Sequence, residues 1–133
     1  MDLVRVETEL KKRLILPYKW GRKQSDDWDA KTSFIYSTYS FEKLLEKTAS
    51  FDEKVRDYAL NRWYNFWSAE AVENLFSLHE KVTPNINKFD RLIDFTINTT
   101  CFDHKTTVFP IGFDQTVAYA KSNPAELIQW LYL

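Results

Sequence analysis

Cysteine is almost missing from this sequence: Cys101 is the only one in 133 residues. A lone thiol excludes a disulfide framework and any cysteine-based zinc site, and it is the usage expected in a reducing compartment. The two histidines, His79 and His104, stand too far apart in sequence to suggest a zinc centre instead. Long apolar runs are missing too. None approaches the roughly 18 residues of a membrane span, and Met1-Asp2-Leu3 opens no signal peptide. Nor is there an excess of charge, since 18 Lys and Arg face 19 Asp and Glu for a formal net charge of −1. That balance excludes a grossly polycationic nucleic-acid binder while allowing a basic patch on one face. The sequence shows no internal repeat, low-complexity tract or interdomain linker. The expectation is a cytoplasmic protein that does not enter a membrane.

What the sequence has in abundance is aromatic side chains. Five Trp, seven Tyr and ten Phe stand against two Gly. With 44% hydrophobic and 28% charged residues the composition is that of a globular chain. A chain of this length buries roughly two-thirds of its unfolded surface, which provides a core without staples. We expect a single domain over 1–133, with a mainly helical N-terminal region at 1–67 and a second region at 68–133.

Leu3, Val6, Leu10 and Leu14 recur at helical spacing between Asp2 and Leu14. A basic and aromatic stretch follows, in which Pro17 and Gly21 indicate a loop. Its cations Lys11, Lys12, Arg13, Lys19, Arg22 and Lys23, interleaved with Tyr18 and Trp20, are candidates for contact with a phosphate backbone or for a solvated basic loop. Helices are expected from Phe41 onward. Ser50 and Glu53 have the spacing of a capping box that opens a helix through Trp67. Ser68 is placed to cap a further helix from Ala69 to about Lys81, ended by Thr83-Pro84. In that helix Val72, Leu75, Phe76 and His79 form one apolar stripe. Glu73 lies at the border of the stripe and Glu70 on its far side.

After Pro84 the period of the pattern changes to 2. Ile93, Phe95 and Ile97 alternate with Leu92, Asp94 and Thr96, and Cys101, Asp103, Lys105 and Thr107 share a face of the next segment. Only Asn98-Thr99-Thr100 lies between, so an antiparallel hairpin is predicted. An even-membered turn at Thr99-Thr100, or at Asn98 to Cys101, sets Asp94 opposite Lys105 and Thr96 opposite Asp103. Asp94 and Asp103 are then diagonal neighbours on one face, about 7–8 Å apart. An odd turn would separate them. Asp114 is expected to cap a helix through Tyr119. Asn123-Pro124 is expected to open a last one, with Pro at its first position.

Two carboxylates beside a lysine suit phosphodiester hydrolysis, which needs charge stabilisation on the transferring phosphoryl group and an activated water. Hard oxygen ligands from Asp and Glu suit Mg²⁺, which binds through one or two carboxylates and keeps several waters. The order of a helix Glu, a strand Asp and then Asp-x-Lys on the following strand resembles the PD-(D/E)XK nuclease superfamily. It is carried by Glu73, by Asp94 in Leu92-Ile93-Asp94-Phe95, and by Phe102-Asp103-His104-Lys105-Thr106, and it covers about half of the chain. Two positions depart from the motif: Ile93 stands where the Pro would be, and His104 fills a place that is usually apolar. The resemblance implies an α/β (α+β) fold in which a restriction-endonuclease-like core with an antiparallel hairpin flanked by helices follows the helical region, at 68–133. The superfamily's last strand is not visible before Leu133. It also implies an Mg²⁺- or Mn²⁺-dependent nuclease acting on nucleic acid, DNA first; a homodimer is a compatible state. Asp94 and Asp103 would hold the metal, Lys105 would serve the attacking water, and Glu73 would be the helical acid.

Each of these residues also has a structural reading. Asp94 and Lys105 suit a cross-strand ion pair, which is worth little at a surface. Glu73 suits an ordinary helix surface, with Glu70 as the alternate acid. His79 belongs to the apolar stripe, His104 to the strand face opposite Asp103, and Cys101 to a buried strand position. The run Trp63-Tyr64-Asn65-Phe66-Trp67 suits helix packing. The rival function is a non-catalytic module that binds protein or nucleic acid, with a purely structural hairpin.

Overall fold

The computed structural model describes residues 1–17, 25–87, 90–106, 109–110 and 112–132. Helix α1 (Leu3–Arg13) is opened by Asp2, whose carboxylate accepts from the Arg5 N–H. A short α2 (Asp26–Lys31) and a 3₁₀ turn (Ser33–Tyr36) lead to α3 (Phe41–Thr48), capped by Ser40. Helix α4 (Glu53–Ser77) then runs unbroken for 25 residues, a length of about 37 Å.

The start and the continuity of α4 differ from the sequence expectation. Asp52, not Ser50, caps α4, its Oδ1 accepting from the Lys54 and Val55 N–H groups at 3.0 and 3.1 Å. Ser68 does not begin a new helix, because its hydroxyl donates back to the Asn65 carbonyl inside α4 at 3.1 Å. No Gly or Pro interrupts the segment, so the ladder has no reason to break there.

The core lies where α1, the 3₁₀ turn and α3 pack on the first half of α4. Ile35, Phe41, Leu44, Leu60 and Trp63 form its buried cluster. Trp63 is 1% exposed, and its indole N–H donates to the Thr38 carbonyl at 2.7 Å. The aromatic run of α4 is therefore packing material, as its pattern suggested. Polar bonds fix the same region from outside. Glu9 of α1 accepts from the Phe41 N–H at 2.8 Å and from Lys12 at 3.0 Å. Arg62 reaches Asp29, Thr32 and Tyr36 at 3.2, 2.5 and 2.6 Å. Arg13 is no surface cation: it is 2% exposed and donates to Asn61 Oδ1 at 2.7 Å and to the Leu16 carbonyl at 3.0 Å.

Past Ser77 the helix expected to reach about Lys81 gives way to turns, and a strand begins at Val82. β1 (Val82–Pro84), β2 (Phe95–Ile97) and β3 (Thr100–Phe102) form a three-stranded antiparallel sheet in the order β1-β2-β3. Pro84 is tolerated because β1 is an edge strand. The stripe Val72, Leu75, Phe76 and His79 does not face the main core. Leu75, Phe76 and His79 are exposed, and Phe76 stacks on Phe95 of the sheet with ring centroids 5.5 Å apart. Phe95 stacks in turn on Phe102 at 5.9 Å. This file of three rings ties the hairpin to the end of α4.

Helices α5 (Val117–Ser122) and α6 (Pro124–Tyr132) close the chain. Thr116, rather than Asp114, caps α5 by accepting from the Tyr119 N–H, while Pro124 opens α6 as its sequence indicated. Six α-helices and an antiparallel sheet among the described residues make this a mixed α+β fold with a helical N-terminal region. No described helix is long and apolar enough to cross a membrane.

Candidate functional site

The hairpin forms, but its register is two residues away from the one expected. Phe95 pairs with Phe102, Thr96 with Cys101 and Ile97 with Thr100, so the turn is Asn98-Thr99. Asn98 has φ +54°, the only positive value at a described non-glycine residue. Asn takes this conformation at low cost, whereas a turn centred on Thr99-Thr100 would force it on a β-branched side chain. Because the shift is even, Asp94 and Asp103 stay near one another. They flank the open end of the β2–β3 ladder, and their carboxylates come within hydrogen-bonding reach.

A second departure sets the direction of Asp94. Its backbone N–H donates to the Phe102 carbonyl at 2.8 Å, although Phe95 is the register partner of Phe102. Two residues thus face one, the pattern of a β-bulge, which bends the strand and re-aims a side chain. Strict alternation would put Asp94 on the face away from Phe95. In the structure Asp94 and Phe95 line one cleft together with Glu70 and Glu73 of α4. β3 ends at Phe102, and the next residues turn inward. The His104 N–H donates to Asp94 Oδ2 at 2.6 Å, and its ring Nδ1 lies 3.2 Å from Glu73 Oε1. His104 was expected on the face opposite Asp103; alternation stops where the strand stops, and its ring lies beside Glu73 of α4.

Lys105 pairs with Asp103, not Asp94, with Nζ 3.0 Å from Oδ2. The lysine contact holds the Asp103 carboxyl below its ordinary range. Reciprocally, Asp103 raises Lys105, and Asp94 and the Tyr132 phenol add to the effect. Lys105 is therefore a firmly protonated cation. Glu73 moves the other way: burial is the largest cause, and the charges of Asp94 and Glu70 reinforce it against the His104 contact. The structure thus puts Glu73 and Asp94 in one cleft and the Asp103–Lys105 pair beside Asp94.

The cleft beside them has a volume of about 540 Å³. Its far wall is a loop the sequence reading passed over. Asp90 Oδ1 accepts from the Leu92 and Ile93 N–H groups at 2.8 and 3.3 Å, and Asn85 Nδ2 donates to Asp90 Oδ2 at 2.9 Å and to the Ile93 carbonyl at 2.8 Å. The Leu92 N–H is the main reason the Asp90 carboxyl lies below its ordinary range. Asn85 and Asp90, turn-forming residue types that bond each other, are the signal that identifies this closure.

Other candidates fall elsewhere. Lys11 and Lys12 form ion pairs with Glu7 and Glu9 along α1, Arg13 is buried, and Lys19, Arg22 and Lys23 lie outside the described residues. Cys101 is exposed rather than buried. Among the described residues no three His, Cys, Asp or Glu side chains are grouped to hold a metal ion. The adjacent pair Asp94 and Asp103 is the remaining donor set. Two carboxylates of this kind fit a hard cation such as Mg²⁺, which fills its other positions with water and substrate oxygens. No protein-family model matches the chain, and neither a curated protein nor a solved structure matches it.

Proposed function

We propose that this chain is an Mg²⁺- or Mn²⁺-dependent nuclease that hydrolyses DNA phosphodiester bonds. The observation that carries the reading is the convergence of a helix Glu, a bulged strand Asp and the Asp-x-Lys segment. Asp94 meets Asp103, Lys105 lies 3.0 Å from Asp103, and Glu73 lies within electrostatic reach of Asp94. The PD-(D/E)XK superfamily shares this order of residues. Asp94 and Asp103 would hold the metal, which when bound supplies charge stabilisation to the phosphoryl oxygens and acidity to a coordinated water.

The chain's own groups then divide the work. Lys105 keeps its proton at Nζ, so it serves as a cation for the scissile phosphate and as a donor that orients the water, rather than as a base. Glu73, raised by burial and by like charge, is the acid of the site best suited to accept a proton. The His104 N–H fixes Asp94 Oδ2, and its ring steadies Glu73. A plasmid-nicking assay in Mg²⁺ tests this. Wild type is expected to cleave and Lys105→Ala to lose at least about tenfold in rate, whereas equal rates would refute the mechanism.

A second reading is a nucleic-acid- or protein-binding module that does not cut. It is favoured by the exposed Asp103–Lys105 pair, in which each charge satisfies the other, and by the lack of a third metal ligand among the described residues. Metal-independent binding with no cleavage would decide for it.

A further inference from the structure

The surroundings of the Asp103–Lys105 pair carry information about the substrate. The described residues lining the cleft include Glu70, Glu73, Asp90 and Asp94 and no lysine or arginine. Four carboxylates in one concavity repel a phosphate chain, so the backbone flanking the scissile phosphate has to run outside it, on the exposed side where Lys105 pairs with Asp103. Exposed aromatic rings accompany this pair. Phe102, directly before Asp103 in the chain, is 41% exposed although one face stacks on Phe95. Tyr132, at the end of α6, is 72% exposed and lies within electrostatic reach of Lys105. Across the cleft, Ile86 is 95% exposed at its mouth.

We propose that the strand engaged here is single-stranded nucleic acid, with unpaired bases stacking on Phe102 and Tyr132 near the Asp103–Lys105 pair. The proposal rests on the nuclease reading above and names its substrate class. In a duplex both faces of each base are already covered by neighbours, so exposed flat rings gain nothing from it. An unpaired base offers its faces freely, and base–aromatic stacking tolerates any sequence because every base has such a face. A lysine already paired with an aspartate, with acids behind it, also gives poor purchase on the two charged backbones of a duplex, which are gripped through many phosphate contacts. A single strand needs fewer cations when rings supply part of its affinity.

The test separates binding from cleavage. Fluorescence anisotropy with a labelled oligothymidine, and with the same strand in a duplex, is measured in EDTA for wild type, Tyr132→Ala, Phe102→Ala and Phe102→Trp. Wild type should bind the single strand more tightly than the duplex. Each alanine variant should weaken binding about tenfold, and Phe102→Trp should retain it. Tyr132→Ala removes an exposed ring at a helix end, so its effect does not depend on the packing of the hairpin. Equal affinity for both forms, or unchanged affinity in both alanine variants, overturns the proposal. Wild type that binds as expected but does not cleave in Mg²⁺ overturns the nuclease reading and leaves the stacking rings standing. Cleavage of duplex at full rate by both alanine variants does the reverse.

Discussion

Phe76→Ala asks whether the ring file from α4 to the sheet is what holds the hairpin beside Glu73. Full burial of a phenylalanine side chain contributes about 1.5–3 kcal/mol. Phe76 is 47% exposed, so roughly half of that, about 1 kcal/mol, is at stake. The stacked contact with Phe95 adds about 1 kcal/mol beyond area. The expected loss is therefore about 2 kcal/mol, and it should fall locally, because Phe76 does not belong to the cluster around Trp63. Alanine keeps the helix intact. Native-state hydrogen exchange reads the difference: amides of Thr96 and Phe102, which bond across the sheet, should lose protection about thirtyfold, the equivalent of 2 kcal/mol. Amides of Leu60 and Trp63 should be unchanged. An equal loss in both regions would show that the hairpin does not open on its own, and no loss in the hairpin would show that the rings do not anchor it. Either result refutes the reasoning.

Trp63→Phe keeps most of the buried area but leaves the Thr38 carbonyl without its indole donor, so chemical unfolding should show a loss of about 1–3 kcal/mol. Arg62→Lys replaces a fork that reaches Asp29, Thr32 and Tyr36 with a single point of charge, and it should cost about 1–2 kcal/mol in the same assay. Burial raises the Glu9 carboxyl, but the Phe41 N–H and Lys12 outweigh it and leave the group below its ordinary value of 4.5. Its contribution is thus present above pH 4.5 and is lost as pH falls through the lowered folded value. Glu9→Gln should therefore be less stable than wild type at pH 7, by about 1 kcal/mol, with the gap closing toward pH 3 in thermal melts. A gap that widens on acidification would contradict the sign.

Periodicity made α1, α6 and the hairpin legible, since each rests on a local pattern that nothing distant overrides. The break expected at Ser68 was misleading because a serine can satisfy itself on the carbonyl three residues back as readily as it can cap a helix. β1 was hidden because Thr83-Pro84 reads as a helix stop, and only a neighbouring strand turns those residues into a sheet edge. At the site the sequence showed which acids share the hairpin but neither their register nor their direction. The register followed the positive φ of Asn98, and the direction followed a bulge at Asp94 that alternation alone does not encode. Arg13 looked like one of a run of surface cations, yet the run crosses from the exposed side of α1 to a position facing Asn61. Asp90 and Asn85 carried a turn signal that pointed to a loop without indicating that it would wall a cleft.

The central claim is that Asp94 and Asp103 form one divalent-ion site. Paramagnetic line broadening by sub-stoichiometric Mn²⁺ tests it directly in backbone amide spectra of the wild-type chain. Broadening should centre on residues 93–95 and 102–105, should be competed away by Mg²⁺, and should disappear in Asp94→Asn and in Asp103→Asn. Broadening spread over the acidic surface, or unchanged by both substitutions, would contradict the account.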